Sequence, residues 1–226
     1  MRLTLLLLCL TPWPCGWAGE PLGRIIFNNL CLTCHGADGG GNAPLKSPSI
    51  AGEPAWYVEA QLGNFQHERR GFDPKDIEGQ LMRATSKALD AGTSRAVAEY
   101  IASLPRVFPK QTIIVATDAG RELYAERCME CHRYNGGGEF AFGSPPLMGL
   151  QDWYLKSELL KFKTGQRGVM KGDVNGQKMA FASGFIEDEE TLQSLVAYLV
   201  SMQDETAKAK QPPKDPFEQT SASAQR

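Results

Sequence analysis

Cys-x-x-Cys-His occurs twice in this chain of 226 residues, as Cys31-Leu32-Thr33-Cys34-His35 and as Cys128-Met129-Glu130-Cys131-His132, 97 residues apart. The same offset relates their surroundings. Gly23-Arg24 pairs with Gly120-Arg121, Phe27 with Tyr124, the glycines 39–41 with 136–138, and Ser47-Pro48 with Ser144-Pro145. The register continues through Trp56-Tyr57 and Trp153-Tyr154, Phe65 and Phe162, and Arg70-Gly71 and Arg167-Gly168. It ends at Gly79-Gln80-x-Met82 and Gly176-Gln177-x-Met179. Of the 60 paired positions from Gly23 to Met82, 21 are identical, far beyond a chance self-match. The chain is two copies of one small module, and a module that small needs a bound group or cross-links to supplement its core.

Each copy reads as short helices around irregular loops. Residues 23–30 and 120–127 lead as helices into the cysteine pairs, and residues 56–65 and 153–162 have helical spacing. The glycine-rich stretches behind the histidines are loops. An amphipathic helix closes each copy. In the first, Val97, Ile101 and Leu104 share a face behind Thr93 or Ser94 as cap. In the second, Leu192, Leu195, Val196 and Leu199 do so behind the acidic turn Glu187-Asp188-Glu189-Glu190. Only Thr112-Ile113-Ile114-Val115, in the connector, has strand character. The expected organisation is a leader at 1–18, modules at 19–106 and 119–202, and a connector at 107–118. A disordered tail is expected at 203–226, where the composition turns to Lys, Gln, Pro, Ser and Ala.

Two thiols on one turn of helix suit addition to the two vinyl groups of a single haem, and the adjacent histidine then meets the iron from the same side. A zinc ribbon needs its two Cys-x-x-Cys pairs much closer together, and a thioredoxin-like dithiol needs strand–helix alternation around it. Two covalent haems c are therefore expected, on Cys31 and Cys34 and on Cys128 and Cys131. His35 and His132 then serve as axial ligands, and no mature cysteine remains for a disulfide. For the sixth position the repeat selects Met82 and Met179, which match in register, whereas His67 faces Thr164 and Met170 faces Asp73. Thioether ligation closes the iron and raises its potential. Around this set, the carbonyls of Pro48 and Pro145 are candidate acceptors for the histidine ring N–H. Arg70 and Arg167, with Trp56 and Trp153, are candidate partners of haem propionates. Packing against haem is the alternative for the tryptophans, and solvated surface charge is the alternative for the arginines.

Met1-Arg2, the apolar run of residues 3–10, and small residues at Gly16 and Ala18 have the form of an export signal cleaved after Ala18. The mature chain is expected in a bacterial periplasm. No apolar stretch is long enough to span a bilayer. With 24 basic and 26 acidic side chains and a net charge of −2, the chain lacks the basic footprint of a nucleic-acid partner.

At these motifs, together with the Pro-x-Ile/Leu-x-Gly loops (Pro48 to Gly52 and Pro145 to Gly149), the sequence resembles the dihaem class I cytochromes c of the cytochrome c4 type. The resemblance implies an all-α fold of two tandem class I cytochrome c domains packed about a pseudo-twofold axis. It also implies a periplasmic carrier that moves single electrons between respiratory donors and a terminal oxidase or reductase, with redox proteins as its partners and a membrane-bound oxidase as a candidate among them. The alternative is a cytochrome subunit held in a dehydrogenase or oxidase complex. A dihaem peroxidase or thiosulfate dehydrogenase needs an exchangeable iron position, which the paired methionines oppose, so no catalytic residues are expected.

Overall fold

Helices in this chain are short because glycines and prolines interrupt them, and each module assembles five. The computed structural model describes residues 21–210; the expected leader, with Cys9 and Cys15, and residues 211–226 lie outside that range. The first module runs α1 (Leu22–Ile26), a π turn (Phe27–Cys31), α2 (Leu32–His35), α3 (Ala55–Gln66), α4 (Ile77–Ser86) and α5 (Ala91–Ser103). The second repeats it as α6 (Asp118–Arg127), α7 (Met129–His132), α8 (Asp152–Lys163), α9 (Val174–Ser183) and α10 (Glu189–Lys210). Among the described residues the β pairing is confined to two isolated bridges, Asn42 with Ser47 and Glu139 with Ser144. The fold is all-α and duplicated.

Gly23 and Gly120 set the crossing on which each module is built. The first and last helices pack together, α1 on α5 and α6 on α10. A Cβ on Gly23 would stand 2.1 Å from the carbonyl oxygen of Ala96, and one on Gly120 would stand 2.2 Å from that of Ser194. Only glycine admits so close an approach of two backbones. Phe27 and Tyr124, a matched pair, follow one turn later, each fully buried against a tyrosine of the closing helix (Tyr100 and Tyr198) at ring separations of 5.3 and 5.5 Å. Ile26, Leu62, Val97 and Ile101 complete the first core, and Leu155, Leu192, Leu195, Val196 and Leu199 the second.

Three local features differ from the sequence reading. Asp90, not Thr93 or Ser94, caps α5: its carboxylate accepts from the backbone N–H of Thr93, whose hydroxyl accepts in turn from the N–H of Asp90. Ser94 lies buried inside the helix. Thr112-Ile113-Ile114-Val115 is irregular rather than a strand, because the N–H groups of Thr112 and Ile113 donate to the buried carboxylate of Asp152 at the start of α8. Finally, α10 continues beyond Met202 to Lys210. Gln203, expected in the tail, is buried and bonds Gly149, Leu147 and Leu150.

The modules meet through equivalent residues. Asn64 of α3 bonds Asp173 across the boundary at 3.2 Å, and its register partner Lys161 of α8 reaches Asp76, the partner of Asp173, at 2.6 Å. Such reciprocal pairing is the mark of a twofold, isologous contact. On the axis, Arg70 donates to Gln61, Tyr154 and Glu158, while Arg167 donates to Glu158 and Gln61. Gln61 and Glu158 are themselves register partners.

Candidate haem sites

Each histidine is oriented by the loop behind it. Nδ1 of His35 lies 2.8 Å from the carbonyl oxygen of Pro48, and Nδ1 of His132 lies 3.1 Å from that of Pro145. A carbonyl can only accept, so Nδ1 carries the proton and Nε2 keeps the free lone pair that a metal requires. Both rings are buried, and burial outweighs the carbonyl contact to hold their pKa values below the ordinary imidazole range. The loops also bind back to the histidine backbone. Gly41 N–H donates to the carbonyl of His35 at 2.8 Å and Gly138 N–H to that of His132 at 3.2 Å.

One turn earlier stand the thiols, all four free. Cys31 and Cys128 are half-buried, and burial, with a further contribution from the neighbouring thiol, pushes each up to about 11. Such thiols stay protonated and resist casual oxidation until they are consumed in bond formation.

The methionines sit at matching places on α4 and α9. Asp76 and Asp173 cap these helices by accepting from Gly79 and Gly176 N–H at 3.0 Å. That geometry explains the Gly-Gln-x-Met motif, because a Cβ on either glycine would fall about 2 Å from the capping carboxylate. Gly71 and Gly168, both at positive φ, pack directly on the carbonyls of the same two residues. One turn structure therefore delivers both methionines. Met82 is half-buried and packs against the first core, as Cys31 does, and Met179 is half-buried. His67, by contrast, is exposed at the end of α3 and turns back to the Gly63 carbonyl at 2.7 Å.

The remaining candidates fall at the module boundary. Arg70 and Arg167 are buried rather than solvated, each stacked on a phenylalanine of its own module (Phe65 and Phe162). Most of their donors are taken by Gln61, Tyr154 and Glu158, but Nε of Arg167 is buried without a hydrogen-bond partner. Glu158 stays ionised: burial alone would raise its pKa, and Arg70, Arg167 and Lys161 outweigh that and hold it below the ordinary carboxylate range. Trp56 and Trp153 are half-buried, Trp56 meeting Phe140 of the second module edge-on at 5.4 Å.

This donor set fits a haem. Two thiols and an imidazole share one turn, a thioether is carried on a separate helix of the same module, and a buried guanidinium N–H awaits an anionic oxygen such as a propionate's. Among the described residues no three His, Cys, Asp or Glu side chains cluster to hold a bare metal ion. The cytochrome c family matches residues 22–105 and again residues 117–203.

The chain belongs to the cytochrome c family.

As such it carries two covalently bound haem c groups, one in each domain, and it is a cytochrome c electron-transfer protein. The fold is that of cytochrome c4 from Pseudomonas stutzeri, with a TM-score of 0.61 at 23% identity, covering 81% of this chain and 98% of that one. The thiosulfate dehydrogenase electron acceptor of Stutzerimonas stutzeri is 29% identical over 76% of this chain and 78% of its own length. The oxidase subunit FixP of Azorhizobium caulinodans is 32% identical over 55% of this chain, and the match spans 42% of the relative. Members of the family are typically periplasmic or exported. Among the described residues of this chain no helix is long and apolar enough to cross a membrane.

Several residues that shape the sites were invisible in the repeat. Gln61 and Glu158, and Asn64 and Lys161, differ in type at matched positions, so identity could not mark them. Gln151 has no polar counterpart at all. Asp76 and Asp173 are identical, and the distance of three residues to the glycine of the methionine motif is a readable cap signal.

Proposed function

We propose that the protein is a periplasmic dihaem carrier, exported by a leader cleaved after Ala18, with His35 and Met82 closing one iron and His132 and Met179 the other. The observation that carries the proposal is the duplicated geometry: a neutral histidine held by a proline carbonyl, and a methionine delivered by a capped helix, at matching places in both domains. Haem iron so ligated takes and releases one electron at a time. The protein's own work is to fix the ring of each histidine through Pro48 and Pro145. It also aims each methionine through the Asp76 and Asp173 caps, and keeps both sites closed to exchangeable ligands. A closed iron does not turn over peroxide or thiosulfate, so the role is transfer rather than catalysis.

The electron source we infer is a sulfur-oxidising dehydrogenase, on the likeness to acceptors of that enzyme over most of both chains; the sink is a terminal oxidase or reductase. Likeness to an oxidase subunit favours a second reading, a cytochrome held permanently in a complex, which co-purification with partner subunits would distinguish. Stopped-flow mixing of the oxidised protein with a thiosulfate dehydrogenase and thiosulfate tests the first reading. Reduction of both haems, with none when thiosulfate is given alone, is expected. Failure of the enzyme to reduce the protein contradicts the inferred source, and thiosulfate oxidation by the protein alone contradicts the carrier role.

A further inference from the structure

Ser49 follows Pro48, the residue whose carbonyl holds His35. Ser49 is buried, and its backbone N–H cannot turn to water; it donates instead to Oε1 of Gln151 at 2.9 Å. Gln151 belongs to the other module, at the entry to α8, and is itself buried. Its Nε2 donates to the carbonyl of Gly40 at 2.9 Å, on the opposite strand of the same loop. One amide thus clasps both sides of the loop that orients His35. Gly41 packs closely against it: a Cβ there would stand 2.5 Å from Nε2 of Gln151.

The second module has no amide at the equivalent positions; Gln203 of its own closing helix holds that loop further along, at Leu147, Gly149 and Leu150. The register partner of Ser49 is Pro146, which has no N–H to satisfy, and the partner of Gln151 is Pro54, which has no side-chain amide. Where the second loop is stiffened by its own second proline, the first is completed from across the domain boundary. We propose that Gln151 is a positioning residue for the first haem's histidine, so that the ligand field of the first iron is set partly by the second domain. The proposal rests on His35 being the proximal ligand.

The direction of the effect follows from the hydrogen bond. A firm bond from Nδ1–H to a carbonyl makes the imidazole a stronger donor and favours ferric iron. Losing Gln151 orphans the buried N–H of Ser49, which is then left without its partner. The loop then relaxes and loosens the Pro48 carbonyl.

The test uses the full-length dihaem protein. Gln151→Ala is expected to raise the reduction potential of the first haem alone. In the ferrous protein it should also speed solvent exchange of the His35 Nδ1 proton while leaving that of His132 unchanged. Ser49→Pro copies the second module and removes the orphan, so combined with Gln151→Ala it should return both readouts toward the unsubstituted values, a non-additive rescue. If the alanine protein does not assemble, Gln151→Met keeps the volume, removes both polar contacts and carries the same readouts. Equal shifts at both haems, no shift at either, or failure of Ser49→Pro to rescue would overturn the proposal. Absence of an exchange-protected Nδ1 proton at the first site of the unsubstituted protein would remove the His35 assignment, and the proposal with it.

Discussion

Met82 and His67 stand 15 residues apart in the sequence, and either side-chain type is a competent iron ligand. The proposed ligand is Met82, on what surrounds each. His67 is exposed and bonded to the carbonyl of its own helix, whereas Met82 is half-buried and packs, as Cys31 does, against the first core. His67→Ala should leave spectrum and potential nearly unchanged, and Met82→Ala should remove about half of the weak far-red thioether-to-ferric absorption; optical spectra of the ferric proteins check both. At this scale the repeat made much legible. Pairing in register picks out the methionines, the histidines and the two prolines that stand behind them, because each answers the same local requirement twice. It was silent on Gln151, whose task exists only because Ser49 and Pro146 differ. The buried setting of Arg70 and Arg167 was equally unreadable, since burial at a domain boundary leaves no trace in local sequence.

At the scale of elements, glycine carries more of the architecture than helix propensity does. Gly23→Ala and Gly120→Ala each place a methyl about 2 Å from a backbone carbonyl of the closing helix, and neither backbone can yield without moving its helix. Each substitution should cost at least the 1–3 kcal/mol typical of overpacking, roughly. Urea unfolding of the holoprotein checks it, with Gly92→Ala in α5, where a Cβ meets no close neighbour but the Asp90 carboxylate at 3.5 Å, as the tolerated control. The sequence located the opening, middle and closing helices of each module, since apolar spacing and the acidic turn before α10 are local signals, but it gave no sign of α4 and α9, the helices that carry Met82 and Met179. It misread two features whose causes are tertiary or a few residues off. The strand-like Thr112–Val115 run is captured by Asp152 from forty residues away, and the cap of α5 is Asp90, one position earlier than the helix itself.

Across the whole molecule, Glu158 is the residue on which the domain contact turns. Three cations, Arg70, Lys161 and Arg167, converge on its carboxylate, and all four groups are largely removed from water. Removing one member of a buried set leaves the others uncompensated, so Glu158→Ala should destabilise by about 3–5 kcal/mol. Glu158→Gln, which copies the matched Gln61, should cost less. The pH dependence has a definite sign. Because the folded protein holds this carboxyl below its ordinary range, its contribution is present above the unfolded value of about 4.3 and is lost as pH falls toward the folded one. Denaturation midpoints measured from pH 7 down to pH 3 should therefore fall less steeply in Glu158→Gln than in the unsubstituted protein.

The account stands or falls on both irons being closed by methionine. Carbon monoxide binding to the ferrous dihaem protein measures this directly, followed optically beside the same protein with Met179→Ala. The unsubstituted protein should bind carbon monoxide negligibly at either haem. The Met179→Ala protein should bind it at one haem, with a lowered potential there. Rapid binding to the unsubstituted protein at either haem would mean an open iron, and would contradict the carrier role at its root.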